Sequence, residues 1–271
     1  MNAPSDEPID EPSDEPIDEP SDEPRDRPRD RDAHARSFGA VAAQYARARP
    51  GYPDDAVDFL VPAGAARVLD LGAGTGKFSA ALVQRGLDVV AVEPSPEMLA
   101  ELTAALPSVE AHEGSAEATG LPDATVDAVV VAQAWHWVDP VRATAEVARV
   151  LRPGGTLGLV WNVRDDSVDW VRQVWALAQR GQEQEMGWDT VEVGAPFARG
   201  ERLVTGFEHV SDRAGILDLV ASRSYVIVLP DDERADLLAA IGRLVDEHPA
   251  LRAGAEIRLP YRTYCTRFRR E

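Results

Sequence analysis

The segment from Arg67 to Pro96 is the feature of this 271-residue chain that most constrains how it can fold. Within it, the apolar run Val68 to Leu71 ends in a glycine-rich turn, residues 72 to 76 (Gly-Ala-Gly-Thr-Gly), and a second apolar run ends at Glu93. The residues between the two runs, Phe78 to Arg85, have the character of a helix. This order predicts a strand, a tight turn, a helix and a second strand.

The glycine turn, residues 72 to 76, suits a nucleoside that lies across it. Its three glycines permit positive φ angles and leave no Cβ between backbone and ligand, and the helix that follows presents its positive N-terminal end. Glu93 stands 21 residues beyond Gly72, at the end of the second strand. A carboxylate at that position can accept hydrogen bonds from both hydroxyls of a ribose.

The spacing of the glycines separates three classes of ligand. A phosphate-binding loop of the Walker type needs a glycine five positions before Gly76, where Leu71 stands. It also needs Ser or Thr directly after Lys77, where Phe78 stands. A dinucleotide-binding turn is disfavoured because its third glycine would fall at Lys77, so a nicotinamide-dependent oxidoreductase is the weaker alternative.

The remaining form, an acidic residue ahead of three alternating glycines, occurs in residues 70 to 76 (Asp-Leu-Gly-Ala-Gly-Thr-Gly). In this motif the chain resembles the class I S-adenosylmethionine-dependent methyltransferases, in particular the small-molecule branch with ubiquinone/menaquinone-type and trans-aconitate-type enzymes. The resemblance runs from about Phe38 to the C-terminus. It implies a Rossmann-like α/β fold with a seven-stranded, mostly parallel sheet, an antiparallel last strand, helices on both faces and an N-terminal helical lid.

The resemblance also implies which positions contact S-adenosylmethionine, the expected cofactor. In the lid the family pattern FxxxAxxYxxxRPGYP matches Tyr45 and Arg49, and the position of Met98 lies beneath the adenine, although core packing explains Met98 equally well. Ser115 replaces the aspartate that takes the adenine amino group, so we expect a somewhat reduced cofactor affinity. The expected cofactor contacts are Tyr45, Arg49, Asp70, Gly72, Ala73, Gly74, Glu93, Pro94, Met98, Ser115, Ala116, Glu117 and Gln133.

The candidate catalytic residue is His136. It stands between two tryptophans in the loop that follows Val126 to Ala132, a continuous apolar run typical of a buried parallel strand. Ligands bind beyond the carboxyl ends of the strands in open α/β sheets, so this loop is expected to face the methyl group. His136 is either a general base or a packed, pocket-lining residue.

The expected reaction is transfer of a methyl group to a small-molecule acceptor, on an oxygen of a hydroxyl or a carboxylate. A hydroxyl would need a base such as His136, whereas a carboxylate would need none and could be oriented by arginines such as Arg223 or Arg262. A non-catalytic S-adenosylmethionine-binding protein is a further alternative. No metal site is expected.

The first 32 residues are set apart by composition. Prolines recur at every fourth position from Pro4 to Pro28, and the segment carries 13 acidic and 4 basic residues. Such a sequence predicts a disordered acidic tail, residues 1–32, ahead of a methyltransferase domain, residues 33–271. The tail accounts for a net charge of −9 and leaves −10 of the chain's −19 to the rest.

Charge and composition also narrow the partners. Both parts of the chain are acidic, which argues against nucleic acid as a partner. No stretch approaches 18 consecutive apolar residues, which argues against a membrane partner, and the single cysteine, Cys265, cannot form an internal disulfide. We expect a cytoplasmic monomer or homodimer that acts on a small molecule.

The C-terminal third gives weaker local signals. A helix is predicted from Val163 to Met186, followed by irregular structure from Gly187 to Gly200, and a short sixth strand from Phe207 to Ser211. Alternation from Glu256 to Arg269 predicts the antiparallel last strand. The order of the strands near the sixth strand is left open by the sequence.

Overall fold

The computed structural model describes residues 49–179, 191, 193–251 and 256–271. The predicted tail and the lid up to residue 48, with the candidate Tyr45, lie outside these residues. Within the described residues, no helix has the length and apolar character that crossing a membrane requires.

The described part of the chain forms a seven-stranded sheet. The strand order is β3-β2-β1-β4-β5-β7-β6; β1 to β5 are mutually parallel, and β7 is antiparallel to both of its neighbours. This arrangement confirms the predicted fold class and supplies the strand order that the sequence left open. The strands are β1 (Arg67–Leu71), β2 (Asp88–Glu93), β3 (Glu110–Glu113), β4 (Val126–Ala132), β5 (Leu151–Arg164), β6 (Glu201–Ser211) and β7 (Ile257–Arg269).

Helices cover both faces of the sheet, because consecutive residues of the buried strands point to opposite sides. Val68 of β1 packs in a cluster with α1, α2 and α3, whereas its neighbour Leu69 packs in a cluster with α4. A third cluster joins α5 to α8 with the start of β7. The helices among the described residues are α1 (Asp54–Leu60), α2 (Lys77–Gln84), α3 (Pro96–Ala105), α4 (Pro140–Val150), α5 (Asp169–Gln179), α6 (Arg213–Ala221), α7 (Ser224–Ile227) and α8 (Asp231–Glu247).

The structure differs from the sequence prediction around β5. The predicted helix from Val163 is wrong at its start, since β5 continues to Arg164 and α5 begins only at Asp169. Antiparallel pairing of β5 with β7 extends to the pair Arg164 and Tyr261, so long-range hydrogen bonds override the local helical pattern. The remainder of the predicted helix, from residue 180, lies outside the described residues.

The sixth strand is also longer than predicted. It begins at Glu201 rather than Phe207, because β7 offers backbone partners along the whole segment from Arg267 to Ile257. Since β6 lies at the edge of the sheet and half of its side chains are exposed, its first residues lack the apolar run that would mark a buried strand.

Candidate active site

The glycine turn lies between the carboxyl ends of β1 and β2. The backbone N–H groups of Gly72 and Ala73 both donate to the carbonyl oxygen of Val92, at 2.8 and 3.2 Å. All three glycines have positive φ angles, of 71°, 56° and 83° in chain order. The backbone therefore adopts the conformation that favours glycine at all three positions, as the sequence predicts.

Only the middle glycine of the turn borders open space. A Cβ atom on Gly72 would lie 2.9 Å from the Cβ of Ala134, and one on Gly76 would lie 2.9 Å from the Cγ of Leu102. A Cβ atom on Gly74 would meet nothing nearer than the sulfur of Met98, at 3.8 Å. The surface of the turn at Gly74 is thus free for the close approach of a ligand.

Glu93 lies beneath this open surface and is only 6% exposed. Its Oε2 accepts a hydrogen bond from the backbone N–H of Gly74 at 2.8 Å, and its Oε1 accepts one from the backbone N–H of Ser95 at 3.0 Å. Burial raises the pKa of Glu93, and the two backbone hydrogen bonds oppose that shift. Each carboxylate oxygen retains a second lone pair, and the contact of Glu93 with a ribose stays a prediction.

Asp70 is placed differently from the other predicted contacts. Its side chain is fully buried below the turn, where Oδ2 accepts a hydrogen bond from the Ser79 hydroxyl of α2 at 2.6 Å. Burial raises the pKa of Asp70 to about 6, and Oδ1 has no hydrogen-bond partner among the described residues. Asp70 therefore braces α2 against β1 in this structure, and it does not line the cavity described next.

A cavity opens at the carboxyl ends of β1, β4 and β5. Five of the predicted cofactor contacts line it: Arg49, Gly72, Ala73, Gly74 and Gln133. Residues that were not predicted as cofactor contacts complete the wall: Pro50, Tyr52, Thr75, Lys77, Phe78, Ala132, Asn162, Arg223 and Tyr261. Residues 72–78 form one continuous part of the wall, and the other lining residues come from segments that are far apart in the sequence.

Hydrogen bonds tie the opposite wall of the cavity together. The Gln133 side chain donates to the carbonyl oxygen of Asn162 at 3.1 Å, and Asn162 donates to the carbonyl oxygen of Gly51 at 2.9 Å. The ring of Tyr52 stands edge-on to that of Phe78, with centroids 5.0 Å apart. The described end of the predicted lid, residues 49–53, is thereby joined to β5 and α2.

The remaining predicted cofactor contacts lie on the other side of the turn, along α3 and the loop after β3. The Ser95 hydroxyl caps α3 by accepting from the Met98 N–H at 3.3 Å, as the sequence Ser-Pro-Glu predicts. The Oε1 atom of Glu117 accepts from the backbone N–H of Asp139 at 2.8 Å. Pro94, Met98, Ser115, Ala116 and Glu117 do not line the cavity.

His136 lies on a 3₁₀ turn (Trp135–Trp137) directly after β4. Trp161 of β5 donates from its indole Nε1 to His136 Nδ1 at 3.5 Å, and the Trp137 ring lies 4.7 Å from the imidazole, centroid to centroid. Burial lowers the pKa of His136 to about 4, so the side chain is neutral at pH 7. Because Nδ1 accepts, this neutral ring carries its hydrogen on Nε2. His136 is not a lining residue of the cavity.

Sequence reasoning missed the aromatic and cationic residues at the ends of β5 and β7. Arg164 and Tyr261 face each other in the register of these two strands, and Asn162 lies two residues before Arg164. Of the two arginines named from the sequence, Arg223 lines the cavity, whereas Arg262 is exposed and pairs with Asp165 at 3.2 Å. No local periodicity marks such residues, because long-range strand pairing brings them together.

The glycine turn, the buried acid after β2 and the sheet topology together define a nucleoside-binding enzyme of the methyltransferase class. Residues 69–159 match a family described as a methyltransferase domain. An uncharacterized methyltransferase of Mycobacterium tuberculosis (strain ATCC 25618 / H37Rv) is 51% identical over 231 residues, which cover 85% of this chain and 94% of that protein. The chain therefore belongs to the S-adenosylmethionine-dependent methyltransferases.

Two further comparisons agree with this assignment. A trans-aconitate 2-methyltransferase of Azoarcus sp. (strain BH72) is 34% identical over 200 residues, covering 67% of this chain and 78% of that protein. A solved structure from Anaeromyxobacter dehalogenans, described as a type II methyltransferase, is 28% identical with a TM-score of 0.64 and covers 82% of this chain and 97% of that one. The resemblance inferred from the glycine turn is thus confirmed.

Proposed function

We propose that this enzyme transfers the methyl group of S-adenosylmethionine to an oxygen atom of a small-molecule acceptor. The observation that carries the proposal is the open surface at Gly74, which lies above Glu93 and continues into the cavity at the ends of β4 and β5. When bound, S-adenosylmethionine supplies a methyl group already activated by a positively charged sulfur. The protein's contribution is then chiefly the alignment of the acceptor.

The residues around the glycine turn would hold the cofactor. Glu93 has lone pairs left for the ribose hydroxyls, and Met98 lies near enough to Gly74 to support the nucleoside from below. Arg49, at the described end of the lid, would bind the carboxylate at the other end of the cofactor. Tyr45, Asp70, Pro94, Ser115, Ala116, Glu117 and Gln133 stay in the proposed set as contacts or supports.

The state of His136 bears on the kind of oxygen acceptor. A base must have a free lone pair and a pKa near the working pH, but the pKa of His136 is lowered to about 4 and Nε2 carries a hydrogen. The ring is therefore in the wrong state to take a proton from the acceptor, and it does not line the cavity. A carboxylate, which is ionised at neutral pH, needs no base, so we favour a carboxylate over a hydroxyl as acceptor.

The test combines product identification with the pH dependence of the rate. Isotopically labelled S-adenosylmethionine and a pool of metabolites should yield a product labelled on oxygen. With that acceptor, the wild-type rate should be flat from pH 6 to pH 8, because a histidine with a pKa of about 4 does not titrate there. A product labelled on nitrogen or carbon would contradict the proposal.

Two variants separate the roles of His136. His136→Gln keeps an acceptor for the Trp161 indole and should retain most of the activity, whereas His136→Phe removes that acceptor and should lose up to about tenfold, the scale of one hydrogen bond. A loss of roughly 10²- to 10⁴-fold in both variants, with a wild-type rate that rises toward pH 7, would instead identify a general base.

A further inference from the structure

Three arginines and two tyrosines lie close enough to interact beside the cavity, and three of them, Arg49, Arg223 and Tyr261, line it. Arg49 precedes α1, Arg164 ends β5, and Arg223 lies between α6 and α7. Tyr225 of α7 and Tyr261 of β7 complete the group, which we call the arginine cluster. Its members come from four separate segments and interact electrostatically with one another.

Two guanidinium groups of the arginine cluster, those of Arg164 and Arg223, are desolvated, and the charge of Asp166 acts on Arg164 only as a minor opposing influence on its pKa. Neither Arg164 nor Arg223 forms a salt bridge with any carboxylate in the described part of the chain. Burial, followed by the charges of Arg49 and Arg164, lowers the pKa of Arg223 to about 9, so all of its charge is still present at pH 7. Burial, with Arg49 as a lesser cause, also lowers the pKa of Arg164. Such a cluster costs folding free energy and persists where an anion binds.

The hydrogen-bond donors of the cluster point to the same conclusion. The Nε of Arg223 and the hydroxyls of Tyr225 and Tyr261 are buried without a hydrogen-bond partner among the described residues. Tyr261 is only 3% exposed, and its ring is stacked on Phe207 with centroids 5.2 Å apart, which holds the side chain in place. Buried donors are normally hydrogen-bonded, so we expect a ligand with acceptor oxygens to bind here.

The surroundings of the cluster favour a carboxylate on an organic molecule. The guanidinium of Arg164 lies over the Trp175 ring, 4.5 Å from its centroid, which holds it in place next to Tyr261, its partner in the strand register. Arg223 and Tyr261 line the same cavity as Gly74 and Gln133, so a molecule bound there reaches from the cluster to the cofactor surface. A guanidinium fork matches the two oxygens of a carboxylate.

We propose that Arg164, Arg223, Tyr225 and Tyr261 bind the carboxylate of the methyl acceptor, which is therefore an organic acid. This assignment rests on the proposed methyl transfer, and it makes these four residues the ones that select the acceptor. Arg49 is assigned to the carboxylate of the cofactor, which leaves two arginines for the acceptor. Neutral analogues of the acid lack the negative charge that these hydrogen-bond donors would bind, so they should bind more weakly.

The experiment measures binding, so it does not depend on turnover. The full-length protein is saturated with S-adenosylhomocysteine and titrated calorimetrically with glutarate and octanoate, and in parallel with the neutral amides glutaramide and octanamide. We expect at least one acid to bind and its amide to bind more than about tenfold more weakly, since hydrogen bonds to a charged group exceed neutral ones. Equal binding of acids and amides, or no binding of either acid, would overturn the proposal.

Variants assign the binding to the cluster. Arg223→Met and Tyr261→Phe should weaken binding of the acid by about tenfold and about threefold respectively, while the affinity for S-adenosylhomocysteine stays unchanged. Tyr261→Phe keeps the ring that stacks on Phe207, so it remains informative if Arg223→Met does not fold. Arg262→Met is the matched control, because that arginine is exposed on the same strand, and it should change neither affinity. Loss of affinity for S-adenosylhomocysteine in Tyr261→Phe would show that the cluster serves the cofactor and would refute the proposal.

The same materials distinguish this inference from the proposed function. Acids that bind in an Arg223-dependent manner, without labelled product from any acid, would support the cluster and contradict methyl transfer to oxygen. Labelled methyl found only in neutral or cationic compounds would refute the cluster, while an oxygen-linked label would leave the proposed function standing.

Discussion

At the scale of single residues, the site is built from polar groups whose hydrogen bonds within the protein leave capacity for a ligand. Glu93 uses one lone pair of each oxygen on the backbone and keeps the others. Gly74 is the one glycine of the turn whose missing side chain opens space rather than avoiding a clash. Glu93 is buried and Gly74 is half-buried, and both lie beside the proposed ligand surface, so substitutions there should change ligand affinity.

Glu93→Gln tests the ribose contact. The amide keeps one acceptor oxygen for the glycine turn but loses the charge, so affinity for S-adenosylhomocysteine should fall by about 1.5 to 3 kcal/mol in calorimetry. Glu113→Gln is the control, because Glu113 pairs with Glu93 in the register of β3 and β2 but is exposed. Equal affinities for the wild type and Glu93→Gln would remove Glu93 from the cofactor site.

Asp70→Asn tests the buried carboxylate through pH. Burial raises the pKa of Asp70 to about 6 from its usual 3.8, so the folded protein binds this proton more tightly than the unfolded chain. The stability that this proton contributes to the folded protein is therefore lost as the pH rises through about 6. Between pH 5 and pH 7.5, the wild-type unfolding free energy should fall by about 1 to 2 kcal/mol relative to Asp70→Asn. Urea unfolding of both proteins without ligand measures the difference, and parallel pH curves would contradict it.

At the scale of elements, the segment before α1, residues 49–53, is joined by hydrogen bonds to two other parts of the site. Arg49 donates to the carbonyl oxygen of Ser222 at 3.3 Å, and Asn162 of β5 donates to that of Gly51. Because β7 pairs with β5 along its length, the same two strands also place Tyr261 opposite Arg164. The lid end and the arginine cluster are thus neighbours through the strand pairing.

Two truncations test the role of this segment. Removal of residues 1–32 should leave melting temperature and affinity for S-adenosylhomocysteine essentially unchanged, because a proline-spaced acidic sequence cannot bury a core. Removal of residues 1–52 deletes Arg49, Gly51 and Tyr52 and should weaken that affinity by roughly tenfold or more, the scale of a hydrogen bond to a charged group. A drop in either property with the shorter truncation would show that the acidic tail docks onto the enzyme.

At the scale of the whole molecule, the sheet order and its single antiparallel strand place two functions at one edge. The proposed cofactor surface lies at the carboxyl ends of β1 and β2, and the proposed acceptor side lies at those of β4 and β5. For a methyltransferase of this family, S-adenosylmethionine and its product S-adenosylhomocysteine should stabilise the folded protein. A ligand that binds the folded state alone raises its stability by mass action.

Thermal unfolding with ligands tests the cofactor class for the intact protein. S-adenosylhomocysteine at 100 times its dissociation constant should add about 2.7 kcal/mol of stability. For a domain of this size that corresponds to a rise in melting temperature of about 5 to 10 °C. NAD at the same concentration should give no shift, and Gly74→Val should abolish the shift with S-adenosylhomocysteine. A shift with NAD that exceeds the one with S-adenosylhomocysteine would contradict the assignment.

The sequence by itself determined the fold class and the cofactor side of the site. The reason is local: the glycine turn, Glu93 and the cap at Ser95 lie within one continuous segment, and each residue type there follows from backbone geometry or from a single ligand group. Strand β4 could likewise be read from its apolar run, because a strand buried on both faces needs no partner to be recognised.

Only the tertiary structure decided the acceptor side. The local sequence pattern predicts a helix at Arg164, whereas the pairing of β5 with β7 places this residue opposite Tyr261. Arg223, which lies 59 residues further along the chain, lines the same cavity as Tyr261. The neutral state of His136 comes from its burial, and the indole of Trp161, 25 residues away, determines which ring nitrogen accepts a hydrogen bond. Charge balance and protonation arise from what surrounds a side chain in space, and no local pattern in the sequence encodes those surroundings.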